Sequence, residues 1–108
     1  MIWEVEYGPR AQEDLDEIFE YYATDQLDDS FAESLIVRLV KAADSLAEMP
    51  LRHRLYPEEP WQSVGVRFMP VGRYLIFYLP VQADRTVKIL RIIHGARDLL
   101  TALQADKG

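Results

Sequence analysis

Two segments constrain this chain more than any others. After Arg73, the run Tyr74-Leu75-Ile76-Phe77-Tyr78-Leu79 is apolar throughout, and Val87 to Ile93 is apolar apart from Lys88 and Arg91. Both lengths suit strands, and successive side chains of a strand point to opposite faces, so each strand is apolar on both faces. Strands of that kind sit inside a sheet with something covering each side. Gly72 and the Asp84-Arg85 region mark the turns around them. A third strand precedes them, in which Val64, Val66 and Phe68 alternate up to Pro70.

The cover for one face comes from the N-terminal half. Residues 2–7 alternate as a short strand, with Ile2, Val5 and Tyr7 set against Glu4 and Glu6. Gly8-Pro9 ends it, and proline suits a first helical position because its missing N–H has no partner to lose there. Ala11, Leu15, Ile18, Phe19 and Tyr22 then recur at helical spacing among acidic residues. The stretch from Asp25 to Asp29 supplies a turn and a candidate N-cap. A second stripe follows in Phe31, Leu35, Leu39, Ala42, Ala43 and Leu46, ending near Met49 because Pro50 disfavours helical geometry before it. So short a join makes the two helices an antiparallel hairpin. Residues 50–63, with Pro50, Pro57 and Pro60 and the run Arg52-His53-Arg54, form an ordered loop. Leu99, Leu100 and Leu103 suggest a short C-terminal helix.

The expected fold is α+β, a helical hairpin packed on a small, mainly antiparallel sheet in the order β-α-α-β-β-β plus a short C-terminal helix. The first strand pairs in parallel with the last, which accounts for the last strand's two-sided apolarity. At 108 residues the chain is expected to be a single domain spanning 1–108.

Composition narrows the function classes. There are no cysteines, which removes disulfides and thiolate metal sites and fits a reducing cytoplasm. The N-terminus does not read as a signal peptide, and no apolar run approaches the ~20 residues of a membrane span, so a soluble cytoplasmic protein is expected. The net charge of −6 is unevenly divided. Residues 1–50 carry 13 acidic and 3 basic side chains, a balance of −10, whereas residues 51–108 carry 5 acidic and 9 basic, a balance of +4. Such asymmetry marks either a face for a charged partner or well-solvated helices. His53 and His94 have no metal-ligand spacing, so neither metal nor cofactor is expected.

In this order of elements the sequence resembles the ParE/RelE family of type II toxin–antitoxin toxins, known also from plasmid stabilisation systems, and lies nearer the ParE branch. The resemblance is carried by Tyr7 and Pro9 leading into Ala11, Asp14-Leu15, Ile18 and Tyr21-Tyr22, by the Leu46…Pro50 helix ending, and by Arg67. It continues in Gly72 through Tyr78 and in Val87 through Asp98, including His94-Gly95 and Arg97-Asp98. The resemblance implies a toxin held inactive by a cognate antitoxin, ParD-like and binding DNA through a ribbon-helix-helix domain, with no membrane partner. ParE-like members inhibit DNA gyrase, whereas RelE-like members cut mRNA on the ribosome.

For target binding the resemblance points to Arg67, Arg73, Arg91 and Arg97. Arg91 lies amid an apolar stretch, where a partner carboxylate is the structural alternative. If the chain is a nuclease, Arg73, Arg97 and His94 are the candidates for charge stabilisation and proton transfer. That machinery looks incomplete, because the last tyrosine is Tyr78 and only leucine, alanine and polar residues follow Asp98. For the antitoxin, whose C-terminal segment wraps over hairpin and sheet in this family, the expected contacts are Leu15, Phe19, Tyr22, Phe31, Leu35 and Tyr74. Trp61 either pins its proline-rich loop or touches a partner. Three functions follow: a gyrase inhibitor, a ribosome-dependent mRNA endonuclease, or a homologue of faded toxicity kept as an antitoxin-binding partner. Overall acidity counts against the second, since RNA binding depends on phosphate neutralisation. Direct nucleic-acid binding outside a complex is not expected.

Overall fold

The computed structural model describes residues 2–95. Its elements are β1 (Glu4–Tyr7), α1 (Pro9–Glu20), α2 (Asp29–Asp44), α3 (Trp61–Val64), β2 (Arg67–Val71), β3 (Tyr74–Val81) and β4 (Thr86–His94). The four strands form one sheet in the order β1-β4-β3-β2. β1 runs parallel to β4, with Glu4 beside Thr86 and Tyr7 beside Ile89, and the other pairs are antiparallel. The two strands read as apolar on both faces are therefore the two central ones. The C-terminal helix expected over Leu99–Leu103 lies outside the described residues.

Two hydrophobic layers cover the sheet. On one face, Ala11 of α1, Leu35, Leu39 and Ala43 of α2, and Leu46 just beyond it pack on Ile76, Tyr78, Val87, Ile89 and Ile92. A large side chain fully removed from water, as Leu39 is, contributes roughly 1.5–3 kcal/mol. On the other face, Trp61, Val66, Phe77 and Ile93 form a second cluster bordered by Tyr56, Phe68, Leu75 and Leu90. The cover there is the segment read as a loop. It contains a 3₁₀ turn at Pro50–Arg52 and the short α3, and buried Trp61 pins it. Tyr78 ties it down further, donating its hydroxyl to Pro50 O at 2.7 Å.

Local chemistry accounts for the helix ends. Pro9 opens α1, and Asp28 Oδ1 accepts the Phe31 N–H at 3.1 Å to cap α2. Beyond Glu20, Tyr21–Asp25 continues α1 as a π-helical turn, which Gln26 N–H closes on Tyr21 O at 3.0 Å. α2 ends at Asp44 in a 3₁₀ turn over Ser45–Ala47, and Met49 then takes a left-handed conformation (φ 51°) ahead of Pro50. Arg52 Nη1 bonds the freed carbonyls of Glu48 and Met49.

The strand boundaries depart from the alternation in three places. Val64 belongs to α3, and β2 runs instead from Arg67 through Pro70 to Val71. Proline is tolerated there because β2 is an edge strand. Gly72 turns the chain at φ 59°, a left-handed backbone that favours glycine; a Cβ there would meet only the flexible guanidinium of Arg38, at 2.9 Å. In β4 the ladder slips between Phe77 opposite Arg91 and Tyr78 opposite Ile89, leaving Leu90 as the extra residue of a β-bulge. Val87, Ile89 and Ile92 consequently join the helix-side core, while Ile93 joins the other.

Candidate functional site

The helical hairpin and the end of the sheet enclose an open cleft of about 560 Å³. One wall is the second half of α1 and its π-helical extension, with Glu17, Ile18, Tyr21 and Tyr22. The other is the β2–β3 turn and the ends of β3 and β4, with Arg73, Tyr74, Ile92 and His94. Asp14 also lines it. The register brings Tyr74 opposite His94, and Gly95 N–H donates to Arg73 O at 2.7 Å, so Arg73, Tyr74 and His94 share one tightly laddered strand end. π-helical turns occur frequently at functional sites, and here the extra residue lies where Tyr21 and Tyr22 face the cleft.

Aromatic contacts give the cleft its form. The Tyr74 ring meets His94 edge-on at 5.2 Å, Tyr21 meets Tyr22 at 4.9 Å, and Tyr22 meets Phe31 at 4.8 Å. Tyr74 donates a long hydrogen bond to Tyr22 Oη at 3.5 Å. Burial first, then that bond, pushes the Tyr74 phenol well above its ordinary pKa. It is a hydrogen-bond donor at neutral pH and is unsuited to act as a base. Arg73 is exposed and His94 half-buried.

Of the four expected target-binding arginines, only Arg73 among the described residues lines the cleft. Arg67 lies at the start of β2, where Nη1 donates to His53 O at 2.6 Å and Leu51 O at 3.3 Å and so holds the covering loop. Arg91 is corrected outright as a surface contact. It is 3% exposed, with Nε on Asp14 Oδ2 at 2.8 Å and Nη2 on Oδ1 at 2.9 Å. This is the carboxylate partner that an arginine in an apolar stretch requires. Arg97 lies outside the described residues.

The residues expected to meet an antitoxin separate by depth. Leu15 and Phe19 line a shallow groove of about 530 Å³ on the outside of the hairpin, together with Asp16, Glu20 and Ile36. Phe19 is 38% and Phe31 46% exposed, and Tyr22 is half-buried beside Phe31. Leu35 and Tyr74 are each 7% exposed and belong to the core cluster: Leu35 supports the surface from beneath, while Tyr74 also lines the cleft. The periodicity did not single out Tyr21, Val37 or Ile36, of which Tyr21 and Val37 are half exposed. One signal was available for Asp14, an acid falling three residues after Ala11 and one before Leu15 in an apolar stripe. Among the described residues no group of three or more His, Cys, Asp or Glu side chains is placed to hold a metal ion. No described helix is long and apolar enough to cross a membrane.

A helical hairpin on one face of a four-stranded mixed sheet is the architecture of solved RelE/ParE-like toxins. A chromosomal ParDE system from P. aeruginosa contains a chain that superposes with a TM-score of 0.70 at 20% identity, covering 86% of this chain and 96% of that one. In the toxin–antitoxin complex RelBE2 from Mycobacterium tuberculosis the values are 0.67 and 22%, covering 87% and 99%. The isolated E. coli RelE toxin gives 0.54 and 11%, covering 97% of each chain. No curated protein sequence matches. The family described as the ParE toxin of the type II toxin–antitoxin system, parDE, matches residues 5–99. The chain belongs to that family and is a type II toxin of the ParE/RelE superfamily.

Proposed function

We propose that this toxin acts in the cytoplasm by inhibiting DNA gyrase through the cleft, and that a cognate, ParD-like antitoxin with a ribbon-helix-helix domain silences it. The observation that carries the reading is the chemistry of the cleft walls. Three tyrosines and one arginine, with a histidine beside them, are side chains that anchor protein–protein interfaces. Phosphate-rich RNA calls for dense positive charge. Here Arg73 shares the cleft lining with the acidic Glu17 and Asp14, Arg91 is taken up by Asp14, and Arg67 is committed to the loop.

A second reading, a ribosome-dependent mRNA endonuclease, draws on one observation: Arg73, Tyr74 and His94 stand together on one wall. A phosphate-stabilising cation beside an imidazole is part of what RNA cleavage needs. The two readings separate in cells. Under tightly controlled expression, gyrase poisoning leaves broken DNA with intact mRNA, whereas nuclease action leaves cleaved mRNA with intact DNA. Growth without either form of damage would instead mark a homologue of faded toxicity.

For the antitoxin, the groove between α1 and α2 and the exposed ring of Phe31 offer an apolar seat rimmed by Asp16 and Glu20. An amphipathic helix laid into such a groove anchors at i, i+3, i+4 and i+7. Binding to the folded toxin alone, at about 100 times the Kd, adds about 2.7 kcal/mol. That corresponds to a rise in melting temperature of roughly 10 °C. An unchanged melting temperature at saturating antitoxin would contradict this seat.

A further inference from the structure

β4 is longer than the strand flanking it. β1 reaches only to Ile89, because Gly8-Pro9 turns the chain into α1, and Gly8 N–H closes that ladder on Ile89 O at 2.9 Å. β4 continues to His94, and over this stretch its β1 side has no strand among the described residues. Backbone N–H groups alternate along a strand, and Gly95 N–H points to Arg73 of the β3 side, so Ile92 N–H points the other way. A buried N–H left there without an acceptor would be costly. Asp14 Oδ2 accepts it at 2.9 Å.

The same carboxylate receives the Arg91 fork, so three hydrogen bonds converge on one side chain of α1 from two consecutive residues of β4. A buried ion pair is no evidence of stabilisation by itself, since an apolar pair of similar volume often serves as well. Direction is what an apolar pair lacks. These bonds fasten α1, which carries Tyr21 and Tyr22 on its extension, to the strand end that carries His94 and is laddered to Arg73. We infer that Asp14 is a positioning residue: it stands in for the strand that β1 does not supply and, with Arg91, sets the spacing of the two cleft walls. The functional part of the inference rests on the cleft being the toxic site.

Two double variants of the whole toxin test it. Asp14→Leu with Arg91→Met keeps the volume and removes the clamp. Asp14→Asn with Arg91→Met removes the charges but leaves an amide oxygen to accept Ile92 N–H. In the first, amide exchange at Ile92 should rise at least roughly tenfold relative to Ile76, the His94 ring NMR signals should shift, and target inhibition should fall at least roughly tenfold. In the second, Ile92 exchange should stay near wild type, because an oxygen still accepts its N–H, while the His94 signals should shift because the Arg91 fork is gone. Unchanged Ile92 exchange and His94 signals in a cooperatively melting Asp14→Leu/Arg91→Met protein would overturn the inference. Shifted signals with full target inhibition would uphold the positioning role and remove the cleft from the toxic site. Should the first variant not fold, Arg91→Lys breaks the fork while keeping the charge, and His94 signals unmoved there would equally overturn it.

Discussion

The antitoxin seat makes a prediction whose size follows from the structure. Phe31 is 46% exposed and Phe19 38% exposed, so with an aromatic side chain offering ~200 Å², a covering helix takes roughly 75–90 Å² from water at each. At about 25 cal/mol per Å² that is a ceiling of about 2 kcal/mol per ring, or roughly 30-fold in Kd. Ordering the partner's side chains takes part of it back, so Phe31→Ala and Phe19→Ala should each weaken antitoxin binding by roughly 5- to 30-fold. Phe31 also packs on Tyr22 at 4.8 Å, so its loss should lower toxin stability by roughly 0.5–1.5 kcal/mol. Titration calorimetry on folded variants separates the two effects, with Val37→Ala as the comparison from an exposed position of the same hairpin. A change below twofold for both phenylalanines would refute the reasoning and place the antitoxin elsewhere.

Three further outcomes follow from the same geometry. Arg73→Ala should reduce toxicity at least roughly tenfold while melting and antitoxin binding stay near wild type; undiminished growth arrest would remove Arg73 from the site. Tyr78→Phe leaves the buried Pro50 carbonyl without the hydroxyl that now bonds it at 2.7 Å, so denaturant unfolding should show a loss of roughly 1–2 kcal/mol. A loss no larger than that of Tyr7→Phe, whose hydroxyl bonds Asp44 in an exposed setting, would contradict the assignment of that tie. Burial, then repulsion from Arg52, lowers the His53 pKa below 6.5, and its Nε2 is buried without a hydrogen-bond partner among the described residues. The unfolded chain therefore takes up this proton first. The stability owed to neutral His53 is complete above pH 6.5 and is lost as pH falls through the lowered folded value. Melting between pH 5.5 and 7.5 should show that slope, and His53→Gln should flatten it; an identical slope in the variant would count against it.

The sheet's layout was legible because β3 and β4 are apolar on both faces, a pattern that only central strands carry. The parallel pairing of β1 with β4 followed from the same signal. What covers the second face was not legible. Trp61 stands in a proline-rich stretch without periodicity, and only the fold shows its ring against Val66, Phe77 and Ile93. The bulge at Leu90 was hidden for a related reason, since alternation read along one strand assumes an unbroken ladder. Arg91 called for a carboxylate, and the one mark on Asp14, 77 residues away, was its place in the apolar stripe of α1. At the site, Arg73 and His94 were visible as chemistry. Tyr21 joined them only through the π-helical turn, whose added residue the 3.6-residue spacing does not anticipate. Leu35 and Phe31 belong to one apolar stripe, and which of them faces a partner depends on how α2 rotates against the sheet.

The central claim is that the cleft inhibits gyrase, and purified components test it most directly. Toxin, gyrase, ATP and relaxed plasmid are combined, and supercoiling is followed together with the trapping of cleaved DNA. The account predicts blocked supercoiling and accumulated cleavage complexes, both relieved by Arg73→Ala and by saturating antitoxin. Unimpaired supercoiling with no cleaved DNA, alongside mRNA cut on translating ribosomes by the same preparation, would contradict it and make Arg73 and His94 parts of a nuclease.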